Sequence, residues 1–117
     1  MADATDCLFC KIAVKAIPAK IAYEDSDLLA FHDIRPQAPV HIQIIPKRHI
    51  SRVSELGEVE VGLMGKLVLA ANRLAKEFKV DEAGYRLVVN CNAAAGQSVY
   101  HLHLHLLGGR AMSWPPG

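Results

Sequence analysis

The chain has 117 residues, 51% of them hydrophobic and 21% charged, which suits one folded globular domain and leaves no room for a second. A formal net charge of +1 and the absence of a long basic run exclude polymeric nucleic acid as the main partner. No apolar run approaches the roughly 20 residues of a membrane span and the N-terminus lacks an apolar signal segment, so we predict one soluble cytoplasmic domain over residues 1–117, with no membrane partner.

A short helix and a hairpin are predicted first. The stretch CLFCKIAVK, residues 7–15, predicts the helix, which Pro18 terminates. Three apolar residues form its inward face: Leu8, Phe9 and Ile12. Apolar segments on both sides of the polar turn EDSD then predict a hairpin within residues 20–33.

Three further strands are predicted from alternating apolar residues. The segment VHIQII, residues 40–45, places His41 and Gln43 on the face opposite its neighbouring valine and isoleucines. YRLVVN, residues 85–90, and HLHLHLL, residues 101–107, complete the set. The expected fold is α+β, with about five mostly antiparallel strands, one long helix and one short helix.

The long helix is predicted between the third and fourth strands. From about Ser54 to Phe78, apolar residues recur at spacings of three and four, which is typical of an amphipathic helix. Gly62 and Gly65 would each weaken this helix by about 1 kcal/mol relative to alanine. We therefore expect close packing against these two glycines.

The last strand carries three histidines in alternation with leucines. A period of two turns the leucines toward the core and places His101, His103 and His105 together on the other face, about 6.6–6.8 Å apart along the strand. Three interpretations are open: an ordinary solvent-facing strand, a metal site, or phosphoryl chemistry by a neutral imidazole nucleophile. The preceding loop favours the third, because Gly96, the Ser98 hydroxyl and exposed backbone amides could cradle an anionic group.

The sequence resembles the histidine triad, or HIT, superfamily of nucleotide hydrolases and transferases, and within it the Hint branch of purine nucleoside phosphoramidases. The segments that carry the resemblance are KIAVKAIPAKIAYED, AFHDIRPQAPVHIQIIPKRHIS, GYRLVVN, GQSVYHLHLHLLGGR and the terminal WPPG. It implies a HIT-like fold, a homodimer, and cleavage of the P–N bond of purine nucleoside 5′-phosphoramidates through a nucleotidyl-histidine. A dinucleoside polyphosphate hydrolase or nucleotidyl transferase, a regulatory nucleotide-binding protein, and a zinc-dependent hydrolase are the alternatives.

The resemblance implies a role for each histidine and for the loop before them. His103 would be the nucleophile and His105 would hydrogen-bond the phosphate oxygens, with His41 beside them and His101 orienting the cluster. The phosphate and the departing amine would be held by a second group of residues: Asn90, Gln97, Ser98 and the amide of Val99.

The nucleoside would be bound by residues nearer the N-terminus. The resemblance implies that Asp33 accepts hydrogen bonds from both ribose hydroxyls. An apolar slot would hold the purine: Leu8, Phe9, Ile12, Phe31 and Ile34. Gln43 departs from the family pattern, because Hint proteins carry an aliphatic residue there. Trp114, near the C-terminus, would line the leaving-group end of the partner subunit's site.

Cys7 and Cys10 form a C-x-x-C pair, which by itself is ambiguous among zinc binding, redox chemistry and chance. Some bacterial HIT proteins that this chain resembles hold a structural zinc with such a pair, the histidine of a PKRH-like segment and the first triad histidine. The corresponding ligands would be Cys7, Cys10, His49 and His101, a closed tetrahedral set that would be structural rather than catalytic. Cys91 has no predicted role.

Overall fold

A computed structural model describes residues 6–117. Its main elements are α1 (Leu8–Ala13), β1 (Ile21–Glu24), β2 (Leu28–His32), β3 (Val40–Pro46), α2 (Val61–Glu77), β4 (Tyr85–Val88) and β5 (Leu104–Gly108). The strands form one antiparallel sheet in the order β1-β2-β3-β5-β4, which confirms the α+β prediction. Within residues 6–117, no helix has the length and apolar character needed to cross a bilayer.

The sheet separates two hydrophobic layers. Helix α2 covers one face, where Leu67 and Leu74 pack over the leucines that alternate with the histidines. On the other face α1 packs Phe9 against Phe31, with ring centroids 5.2 Å apart, and against the ring of His103 at the same distance. The histidines therefore lie on the α1 face, as the alternation predicted.

The long helix starts later than predicted. Instead of beginning at about Ser54, α2 begins at Val61 after two short 3-10 turns. The backbone is extended at Leu56 and Gly57, with ψ of 137° and −172°, and this interrupts any continuous helix. The Glu60 carboxylate accepts a hydrogen bond from the Gly57 N–H at 2.7 Å. This bond closes the second 3-10 turn directly before α2.

Among residues 6–117, nothing packs closely against the two helical glycines. A Cβ atom added at Gly62 or Gly65 would meet nothing within 4 Å, and both residues are exposed. The prediction was wrong for the single chain because these glycines face away from the sheet.

Two further boundaries differ from prediction. Helix α1 ends at Ala13, because Lys15 adopts φ of 64° and turns the chain away before Pro18. Strand β5 begins only at Leu104, since the N–H of Leu102 donates to the Ile50 carbonyl rather than to a neighbouring strand. The alternation of faces nevertheless continues back to the first histidine.

Candidate active site

A cavity of about 650 Å³ opens on the α1 face of the sheet, a size suited to a small organic ligand. Most residues that the sequence marked as site candidates line this cavity: Leu8, Phe9, Ile12, Phe31, Asp33, Ile34, Asn90, Ser98, Val99, His103 and His105. Two of the apolar members sit at its edge, because Leu8 is 45% exposed and Ile34 is 94% exposed. Leu8 therefore does not face the core, unlike Phe9 and Ile12.

Sequence reasoning missed part of the wall. The segment from Ile17 to Lys20, which follows α1, lines the cavity together with His32. Gln43, which the sequence analysis singled out as a departure from the family pattern, lines it as well. Both regions lie inside the segments KIAVKAIPAKIAYED and AFHDIRPQAPVHIQIIPKRHIS. Both segments carry the family resemblance, but a residue pattern by itself does not indicate which side chains contact a ligand.

Four of the candidate catalytic and nucleotide-binding residues lie away from the cavity wall. His41 is buried behind His105, and His101 is fully buried beside the cysteine pair. Trp114 is 82% exposed near the C-terminus. Gln97 is buried within the loop that carries Ser98.

The side chain of Gln97 holds this loop in shape. Its Oε1 accepts a hydrogen bond from the Asn92 N–H at 2.8 Å, while its Nε2 donates to the carbonyls of Ser51 at 2.9 Å and Val99 at 3.1 Å. These bonds are internal to the protein. The structure thus gives Gln97 a supporting position beneath the loop rather than a place on the cavity surface.

The tautomer of His103 follows from its backbone partner. Nδ1 lies 2.7 Å from the His101 carbonyl oxygen, which can only accept, so Nδ1 carries the proton. The lone pair is therefore on Nε2. Burial lowers the pKa of His103 below the ordinary imidazole value, which favours the neutral ring. A neutral imidazole with a free lone pair on a cavity wall is a competent nucleophile.

A chain of hydrogen bonds sets the tautomer of His105. The Gln37 N–H donates to Nδ1 of His41 at 3.0 Å, so the His41 proton lies on Nε2, 2.9 Å from Nδ1 of His105. His105 must accept this bond, and its own proton is consequently on Nε2. The cavity thus receives an N–H donor from His105 beside the lone pair of His103, whose ring centroid is 5.0 Å away.

The pKa of His105 is lowered to about 4 by burial and by the neighbouring His103 and His41. We expect this ring to remain mostly neutral at pH 5.5, where an ordinary imidazole is about 90% protonated. Because the folded-state pKa lies below the unfolded value of about 6.5, its contribution to the free energy of unfolding is present above pH 6.5 and is lost as the pH falls toward 4. Imidazole ¹⁵N NMR titration tests this directly, and half-protonation of His105 at pH 6.5 would contradict it.

The same tautomers argue against a catalytic metal among Asp33, His41 and His105. Their potential ligand atoms lie within 4.8 Å of one another. However, Nε2 of His41 carries a proton because Nδ1 accepts from the Gln37 N–H, and a protonated nitrogen cannot bind a metal. The zinc-dependent hydrolase is therefore the interpretation that this geometry fits least.

A second cluster joins the two cysteines to two histidines. Cys10 Sγ lies 3.2 Å from His49 Nδ1 and 3.4 Å from His101 Nδ1, and Cys7 Sγ lies 3.3 Å from the same nitrogen. Nε2 of His101 donates to the Pro46 carbonyl at 2.7 Å, which leaves the Nδ1 lone pair facing the sulfur atoms. Ligand atoms around a tetrahedral zinc lie about 3.5 Å apart, so the donor set and its spacing fit such an ion.

The surroundings of Cys10 disfavour its thiolate. Burial, together with the hydrogen bond and charge of Cys7, raises the pKa of the Cys10 thiol to about 11. Thiolate is the form that binds a metal. A bound divalent ion would offset this penalty and draw both sulfur atoms into the charged form.

Comparison with known proteins identifies the family. The HIT domain model matches residues 14–112. The chain belongs to the HIT family. A HIT-like protein of Synechococcus elongatus, described as uncharacterized, is 50% identical over 112 residues, covering 96% of this chain and 97% of that protein.

Solved HIT structures agree closely with this fold. A HIT family hydrolase from Legionella pneumophila is 53% identical, with a TM-score of 0.95 over 96% of this chain and all of that one. A HIT family hydrolase from Clostridium thermocellum is 48% identical, with a TM-score of 0.90 over 92% of this chain and 94% of that one. The HIT assignment made from sequence motifs is therefore confirmed.

Proposed function

We propose that this HIT protein hydrolyses the P–N bond of purine nucleoside 5′-phosphoramidates through a covalent nucleotidyl-His103. One observation carries the proposal: the lone pair of His103 Nε2 is available on a cavity wall, beside the N–H of His105. The solved relatives from Legionella pneumophila and Clostridium thermocellum are named as hydrolases, which supports hydrolytic chemistry.

The proposed reaction has two displacements at phosphorus. Nε2 of His103 attacks the α-phosphorus, the P–N bond breaks, and the amine leaves with a proton taken from solvent, which the attacking water returns to solvent in the second displacement. His105 donates its N–H to a phosphate oxygen, while the Ser98 hydroxyl, the Val99 amide and Asn90 hold the phosphate and the amine. Water then attacks the phospho-histidine, which releases the nucleoside monophosphate and restores the neutral imidazole.

The remaining wall of the cavity suits the nucleoside. The Phe9–Phe31 pair and the neighbouring apolar residues form the proposed purine slot. Asp33 lines the same cavity, and its carboxylate would accept hydrogen bonds from the ribose hydroxyls. Gln97 acts indirectly, because it supports the loop that would touch the phosphate.

Incubation with adenosine 5′-phosphoramidate tests the function directly. We expect stoichiometric release of AMP and ammonia, and slower turnover of dinucleoside polyphosphates. Faster turnover of the polyphosphates would favour the alternative hydrolase of the same superfamily. If AMP binds while neither substrate is turned over, the protein is a regulatory nucleotide-binding module instead.

A homodimer is proposed from two adjoining surfaces. Helix α2 exposes Val61, Val68 and Leu69 on the face that also contains Gly62 and Gly65. β4 is an edge strand of the sheet, and an edge strand offers unpaired backbone groups for a second copy. Small residues on the helix would permit the close approach that the single chain does not use.

The C-terminal segment lies near the same surface. Arg86 of β4 donates to the Ser113 carbonyl at 2.9 Å, which ties the end of the chain to the edge strand. Trp114 follows directly and is largely exposed. In a dimer built on β4, we propose that Trp114 reaches the partner subunit's cavity at the leaving-group end.

Leu69→Glu is expected to shift the protein from dimer to monomer, because it would bury a charge in the proposed interface. Sedimentation velocity at micromolar concentration measures the result. Val14→Glu is the matched control, since Val14 is 75% exposed at the end of α1 on the opposite side of the sheet. A dimer in both variants, or a monomeric wild type, would contradict the proposed interface.

We further propose that Cys7, Cys10, His49 and His101 hold one structural zinc ion. The spacing of their ligand atoms and the orientation of His101 support it. Such an ion would join α1 to two other segments: the one after β3, which carries His49, and the one before β5, which carries His101. It has no place in the displacement steps, because His103 is not among the ligands.

A further inference from the structure

Gln43 of β3 lies between two other cavity-lining residues in the sheet. On the sheet it pairs with Phe31 of β2 on one side and with His105 of β5 on the other. All three residues line the cavity. The row therefore runs from an aromatic residue of the proposed purine slot, through Gln43, to a histidine of the proposed phosphate site.

The amide of Gln43 has one settled orientation. Its Nε2 donates to Oδ2 of Asp33 at 2.7 Å. Exchange of the amide oxygen and nitrogen would place two acceptors together, so the carboxylate determines which end is which. The Oδ1 atom of Asp33 accepts the Arg35 N–H at 2.7 Å, and the carboxylate is thereby held still.

The oxygen end of the Gln43 amide receives no hydrogen bond from the described residues. Gln43 Oε1 is buried and has no hydrogen-bond partner among the residues that the structure describes. Buried polar groups are satisfied in the great majority of cases, and an unsatisfied one destabilises the fold. A buried acceptor on the wall of a ligand cavity indicates that the ligand brings the missing donor.

The nature of that donor follows from position. Phosphate oxygens are acceptors, and the purine would lie toward Phe31, beyond Gln43. In a nucleotide, the ribose lies between the phosphate and the base. In the sheet, Gln43 likewise lies between His105 at the proposed phosphate site and Phe31 in the proposed purine slot. The two adjacent hydroxyl groups of the ribose are the donors that would meet two adjacent acceptors.

We propose that Gln43 is a specificity-determining residue that accepts a hydrogen bond from one ribose hydroxyl through Oε1, while Asp33 accepts from the neighbouring hydroxyl. This inference rests on the proposed nucleotide hydrolase function. An aliphatic residue at this position could pack against the sugar but could not accept from it. The site should therefore prefer ribonucleotides to deoxyribonucleotides more strongly with Gln43 than without it.

Isothermal titration calorimetry with AMP, 2′-deoxy-AMP and 3′-deoxy-AMP tests the proposal on the full-length protein. Gln43→Leu should weaken AMP binding by about three- to tenfold, as expected for loss of one hydrogen bond. One of the two deoxy ligands lacks the hydroxyl that Gln43 contacts. For that ligand, the wild type and the variant should bind with the same affinity.

Three outcomes would overturn the inference. Equal AMP affinity in both proteins would show that Oε1 accepts nothing from the ligand. Equal losses for AMP and for both deoxy ligands would show an indirect effect on the shape of the site. Absence of AMP binding to the wild type would remove the proposed function as well, which distinguishes the two failures. Gln43→Met, measured in parallel with its melting temperature, ensures that the result does not depend on the folding of one variant.

Discussion

Replacement of His103 by alanine is expected to lower kcat for adenosine 5′-phosphoramidate by at least about a thousandfold, while AMP binding persists. The substitution removes the imidazole whose Nε2 lone pair is available on the cavity wall beside the N–H of His105. In the proposed function, nucleotide binding depends on other groups, namely the apolar slot and the Asp33 carboxylate. Turnover and AMP affinity should therefore separate.

His103→Asn is the matched variant for this experiment. Its amide can still donate to the His101 carbonyl, which replaces the bond now made by Nδ1. It cannot attack phosphorus, so it should be as inactive as the alanine variant while preserving the local hydrogen bonding. Mass spectrometry of quenched wild-type protein should locate the nucleotidyl adduct on His103. Near-normal turnover in either variant, or an adduct on another residue, would refute the mechanism.

The second large effect is expected from the cysteine pair. Purified wild-type protein should contain about one zinc per chain by elemental analysis. Cys7→Ser combined with Cys10→Ser should abolish this content, because two of the four ligands are lost. Since zinc-binding energy is folding energy, even a loss of about 3 kcal/mol would lower Tm by about 10 °C.

Cys91→Ser supplies the control for the cysteine experiment. Cys91 is partly buried and lies outside the cluster, so its replacement should leave metal content and Tm unchanged. The double variant should retain substantial activity wherever it remains folded, because His103 is not a ligand. Wild-type protein purified without chelator and free of zinc would count against the site. Loss of all activity in a folded, zinc-free variant would instead implicate the metal in catalysis.

The sequence by itself determined the fold class and the facing of the histidines. HLHLHLL alternates with a period of two, and this period corresponds directly to the two faces of a strand. The apolar leucines pack in the core under α2, so the histidines lie on the opposite face of the sheet. The HIT motifs, which are spread over most of the chain, likewise identified the family before any distance was known.

The sequence determined the ends of helices and strands less well, because each end depends on the backbone conformation of a few individual residues. The apolar spacing before Val61 suited a helix, yet the extended Leu56–Gly57 backbone divided the segment into short turns. The family resemblance implied that Gln97 contacts the ligand. Only the tertiary structure shows that its amide bonds to the backbone of Ser51, which is 46 positions away.

The chemistry of the site was decided by tertiary contacts. The role of each imidazole nitrogen depends on its hydrogen-bond partner, and a sequence pattern contains no information about protons. His105 presents an N–H because His41, 64 positions away, donates to its other nitrogen. Cys10 lies beside His101 across 91 positions. Such pairings arise only when the sheet and α1 pack together, and this packing determines which histidine can attack, which can donate and which can bind a metal.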